Sequence, residues 1–121
     1  MKNSLPHIIP FPDIAKPYLQ GDGLLFPARA RDTPFNGWSK AKAALDKRLD
    51  GVAHFTIHDI RRSASTFWAS LDIEPHVTEA LLSHLTFKQD VQGTYNRFRY
   101  LPQMREALAK YQNFLISFVA R

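Results

Sequence analysis

The sequence predicts a mainly α-helical fold, because beyond residue 35 its apolar residues recur at three- and four-residue spacing, whereas proline and glycine punctuate its first third. At 121 residues, with 45% apolar and 12% aromatic content, the chain suits one domain or part of one, built on a single packed core. The stretch MKNSLPHIIPFPDIAKPYL holds four of the eight prolines, so Ile8 and Ile9 have room only for a short edge strand. Asp13 to Leu19 predicts a short helix interrupted by Pro17. Gly21-Asp22-Gly23 predicts a turn, and Leu24 to Phe26 a brief strand stopped by Pro27. A small antiparallel β remnant near the N-terminus is the most sheet these segments allow.

The helical part opens with Asn36 as N-cap, followed by Trp38, Ala41, Leu45 and Leu49 at helical spacing up to Gly51. Lys40, Lys42, Lys47 and Arg48 occupy its other faces, either as a solvated basic surface or as phosphate contacts. The next helix runs from about Thr56 to Leu71. Thr56 and Asp59 have capping-box spacing, and Ile57, Ile60, Ala64, Phe67, Trp68 and Leu71 form one apolar stripe. Pro75 opens a third helix with Val77, Ala80, Leu81 and His84 on one face. A polar loop over 88–93 follows, and Pro102 opens a last helix striped by Met104, Leu108, Tyr111, Leu115 and Phe118.

Sixteen Lys and Arg against eleven Asp and Glu give a net charge of +5, with a pI near 9.7. That balance suits a polyanionic partner such as nucleic acid. No cysteine is present, which excludes disulfides and thiolate metal sites. No apolar run reaches membrane-spanning length and no signal-peptide profile opens the chain, so the expectation is a soluble cytoplasmic protein.

Four residues stand out chemically. Arg61 falls at the margin of the apolar stripe with His58 one turn earlier, so both side chains emerge on one side of the helix. A guanidinium there offers a bidentate fork to phosphate at any physiological pH. For HDIRR taken alone, surface ion pairs of Asp59 with Arg62 or Arg61, with His58 capping or covering the helix start, are the favoured reading. His84 is in register with Val77 and Leu81, as a core histidine bonded to a carbonyl would be. Tyr95 lies in a polar segment, between Gly93-Thr94 and Asn96-Arg97, where a phenol is accessible.

The stretches FTIHDIRRSASTFWASLDIEPHVTEALLSH and GTYNRFRYLPQMREALAKY resemble the end of a tyrosine recombinase catalytic domain, particularly of the prophage-type integrases. That family carries His-x-x-Arg at the opening of a helix, a second His at the end of the next, and a nucleophilic Tyr shortly after. Here His58, Arg61, His84 and Tyr95 match in order. HDIRRSAST resembles HDLRRTxAT, LLSH resembles LLGH, and TYNRFRY resembles VYNRYDY. Upstream, KNSLPHIIPF resembles the segment after the catalytic hairpin lysine, which aligns Lys2 with that lysine.

The resemblance implies site-specific recombination or integration of DNA. Tyr95 would attack a phosphodiester to form a 3'-phosphotyrosine, with Arg61 and His84 stabilising the transition state. His58 would accept the phenolic proton and Lys2 would protonate the leaving oxygen. Arg61, Arg62, Lys40, Lys42 and Arg97 would contact DNA. The implied partners are double-stranded DNA and other integrase protomers, with no membrane, metal or small-molecule cofactor, and the implied location is the bacterial cytoplasm, at the nucleoid when DNA is bound. The 121 residues match only the later part of such a domain: the upstream catalytic arginine and the N-terminal DNA-clamping domain have no counterpart here. The alternative expectation is a truncated remnant that binds DNA or a partner integrase without catalysis.

Overall fold

In the computed structural model, residues 7–29, 32–83 and 99–119 are described. The chain is mainly helical, as its periodicity predicts. A 3₁₀ helix at Asp13–Tyr18 is followed by α1 (Trp38–Arg48), α2 (Ile57–Ser70), α3 (Pro75–Leu81) and α4 (Leu101–Val119). Two compact units divide the chain, one formed by Met1–Ile14 with Ser65–Arg121 and the other by Ala15–Ala64.

The first unit holds every buried apolar residue among those described: Trp68, Ile73, Val77, Ala80, Leu81, Met104 and Ala107. At seven residues α3 is too short to persist alone, and its packing on α4 supplies what propensity cannot. Glu74, extended ahead of Pro75, sets the entry into α3 as a residue before proline should. The turn from α2 to α3 is a Schellman arrangement. Ile73 N–H donates to the Trp68 carbonyl at 3.0 Å and Asp72 N–H to that of Ala69 at 3.1 Å, with Asp72 left-handed at φ 59°. Ile73 and Trp68, the residues this motif brings together, are both in the core.

Along α4 the Tyr111 ring meets Trp68 edge-on at 5.7 Å, and Phe114 packs on Phe67 at 5.0 Å. The last helix thus lies on its own unit's core through Met104, Ala107, Tyr111 and Phe114. Burial pushes the Tyr111 phenol above its ordinary range. His7 Nε2 donates to the Ala80 carbonyl at 2.8 Å and the Ile14 N–H to Gln112 Oε1 at 2.8 Å, so side chains and not a sheet tie down the N-terminal segment. The edge strand expected at Ile8-Ile9 does not form, because Pro10 and Pro12 offer no ladder donors.

The second unit contains no buried side chain among its described residues. Among the described residues its β structure is one antiparallel bridge, Pro27 to Pro34. The Ala28 N–H donates to the Thr33 carbonyl at 2.7 Å and the Phe35 N–H to that of Phe26 at 2.8 Å, which places the two prolines at a pair that needs no N–H. The strand expected at Leu24–Phe26 is therefore reduced to this pairing, just beyond its predicted end.

α1 is capped by Gly37 and not by Asn36, without a side-chain cap bond. A Cβ on Gly37 would stand 3.1 Å from the Phe35 ring, so glycine is what lets that ring lie against the helix start. Helical spacing identifies a face but not what covers it. Of the α2 stripe only Trp68 is buried, while Ile57 and Ile60 in the second unit remain exposed, as do Trp38 and Leu45 on α1.

Candidate functional site

Thr56 and Asp59 close the opening of α2 reciprocally. The Asp59 N–H donates to Thr56 Oγ1 at 3.1 Å, and the Thr56 N–H donates to Asp59 Oδ2 at 2.9 Å. The Thr56 backbone N–H, then the Thr56 hydroxyl, hold the Asp59 carboxyl below the usual carboxylate range, with the charges of Arg62 and His58 adding to the effect. An ionised carboxylate therefore already occupies the positive end of the helix dipole. A phosphate arriving here meets the side chains of the first turns and not bare backbone amides.

Those side chains are His58, Arg61 and Arg62. Their i, i+3, i+4 spacing sets them on one side of α2 as neighbours. His58 is exposed and Arg61 half-buried. Arg62 lies 3.6 Å from Asp59 Oδ1 with its side chain 74% exposed. The ion pair expected of HDIRR is made by the exposed Arg62, while Arg61 is half-buried at the rim of the stripe.

On α1, Lys40 and Lys42 differ. Lys42 bonds Asp46 one turn on, and its Nζ sits 4.0 Å from the centroid of the Phe55 ring, an internal anchor between the helix and the segment before α2. Lys40 is exposed, as are Lys47 and Arg48 in the last turn of the helix. The second unit as a whole carries nine Lys and Arg against five Asp, so four of the five net positive charges belong to it.

Lys2, His84, Tyr95 and Arg97 lie outside the described residues. α3 ends at Leu81 with a turn over 82–83, three residues before His84, and α4 begins at Leu101, six residues past Tyr95. Helical spacing sets Trp38 in line with Ala41, Leu45 and Leu49 and so does not reveal the aromatic group Phe26, Phe35 and Trp38. The signal was the flanking of Pro27 and Pro34 by Phe26 and Phe35. Among the described residues no group of three or more His, Cys, Asp or Glu is placed to hold a metal ion, and no helix is long and apolar enough to cross a membrane. No family model matches the chain, and no curated protein or solved structure is significantly similar to it.

Proposed function

We propose that the chain is the C-terminal part of a tyrosine recombinase catalytic domain and takes part in site-specific DNA strand exchange through Tyr95. The observation that carries this reading is the setting of the His-x-x-Arg pair: His58 is the second residue of α2 and Arg61 follows one turn later, directly behind a closed capping box. In this reading the Tyr95 oxygen bonds to the phosphorus of a DNA diester while the bond to the 5' oxygen breaks. His58 takes the phenolic proton and Lys2 returns one to the leaving oxygen. Arg61 and His84 neutralise the charge gathering on the non-bridging oxygens. The phosphotyrosine keeps the diester's free energy, so a second strand's 5' hydroxyl reverses the step without a metal or nucleotide cofactor. Duplex DNA and further integrase protomers are the partners, in the cytoplasm and at the nucleoid.

The second reading is DNA binding without cleavage, for which the net charge of +5 is the supporting observation. A nicked suicide duplex separates the two. A covalent adduct that disappears in Tyr95→Phe and falls in Arg61→Ala supports strand transfer. Salt-sensitive duplex binding with no adduct supports the second reading. Absence of binding at low salt refutes both.

A further inference from the structure

The second unit carries an exposed aromatic group that the strand-transfer chemistry does not use. Phe26 and Phe35 stand opposite each other across the Pro27–Pro34 bridge, and therefore on one face of the hairpin. Trp38 follows at the start of α1, with its ring edge-on to Phe35 at a centroid separation of 4.8 Å. Phe26 is 58% and Trp38 50% exposed, whereas Phe35 is half-buried. Gly37 makes room for the Phe35 ring, so the indole is braced from one side and open on the other. A solvent-facing indole held edge-on against a neighbouring ring is a formed aromatic surface.

The surroundings select the partner. Arg29 and Lys40 are exposed on the same hairpin and helix, in the unit that holds four of the five net positive charges. Open aromatic faces on a cationic surface match unpaired nucleotides, in which bases stack on rings while the backbone meets lysine and arginine. A paired duplex keeps its base faces stacked on each other and offers an indole little. We infer that Phe26, Phe35 and Trp38 form a stacking site for unpaired bases of single-stranded DNA, with Arg29 and Lys40 holding the backbone. The choice of DNA over RNA rests on the strand-exchange reading, in which bases beside a cut strand must unpair before the strand changes partner.

The chain has two tryptophans. Trp68 is only 7% exposed, so fluorescence quenching by added nucleic acid reports Trp38. Titration with an oligo-dT strand should quench the native chain, and Trp38→Phe, which leaves Trp68 as the lone indole, should abolish the signal. Trp38→Ala should weaken oligo-dT binding about five- to 150-fold, the range set by loss of one base–aromatic stack. Phe26→Ala, at the most exposed ring of the group, should also weaken it and serves as the second variant if Trp38→Ala loses helix by circular dichroism. Duplex affinity and any Tyr95 adduct should be the same in Trp38→Ala as in the native chain, so failure of the strand-transfer reading leaves this test standing, and the reverse. Equal quenching by blunt duplex, equal affinity for an oligo-U strand, or oligo-dT binding indifferent to both Trp38→Ala and Phe26→Ala would each overturn the assignment.

Discussion

Removing the Thr56 hydroxyl tests whether the capping box sets the site. In Thr56→Ala the Asp59 N–H loses its acceptor while the opposite bond, from the Thr56 N–H to Asp59 Oδ2, keeps its backbone donor. Loss of a helix cap of this kind costs about 1 kcal/mol. For cooperative unfolding of all 121 residues, an unfolding entropy of roughly 2.1 cal/mol/K per residue converts that to a melting temperature lower by about 4 °C. Thr56→Ser should restore most of it. Because His58 and Arg61 sit in the turns that the box closes, Thr56→Ala should also weaken duplex DNA binding, although Thr56 carries no charge.

The same box has a pH signature. The folded-state pKa of Asp59 is lowered, so its contribution is present above the unfolded carboxylate value, near pH 4, and is lost as pH falls through the lower folded value. The gap in melting temperature between the native chain and Asp59→Ala should hold steady from neutrality down to about pH 4 and close below it. Thermal melts followed by circular dichroism across that range decide the matter. A gap that persists to the acid end, or a Thr56→Ala chain as stable as the native one, would show that the box does not anchor α2.

Three further outcomes follow from the packing. Lys40→Ala should lower duplex affinity and reduce the slope of log affinity against log salt by about one, whereas Lys42→Ala, which loses Asp46 and the Phe55 ring, should act mainly on stability in urea melts. Trp68→Ala should cost about 3–5 kcal/mol in denaturant unfolding; Trp68→Phe should cost far less, because the indole N–H is buried without an acceptor among the described residues. Tyr111, with its phenol raised by burial, should ionise late in an ultraviolet titration, and the stability tied to its neutral form should be retained below the ordinary phenol value near 10 and decline as pH rises beyond it.

What the sequence made legible was local. The Thr56–Asp59 box, the opening of α3 at Pro75 and the turn through Gly21 and Gly23 each depend on residues a few positions apart, and each forms. What stayed hidden needed a partner from elsewhere in the chain. Gly37 caps α1 in place of Asn36, with the Phe35 ring close against it. Lys42 is committed to a ring thirteen positions away, which no helical wheel displays. Asp72 takes the left-handed position of a Schellman turn where glycine is the usual cue. The site divides in the same way: His58, Arg61 and Arg62 were placed by helical spacing, while Lys2, His84, Tyr95 and Arg97 lie outside the described residues.

The two adjacent arginines of α2 illustrate how burial sorts residues that a motif leaves equal. Arg62 points into solvent and meets Asp59 at 3.6 Å, a geometry worth little in water and weakened further by salt. Its charge is also partly offset by a carboxylate that the capping box keeps ionised. Arg61 lies at the edge of the apolar stripe and is half-buried. A half-buried charge acts through a less polar surrounding than one in open solvent. If the strand-exchange reading holds, the half-buried Arg61 is the better candidate for a fixed phosphate contact, and Arg62 for the ion pair at the helix end.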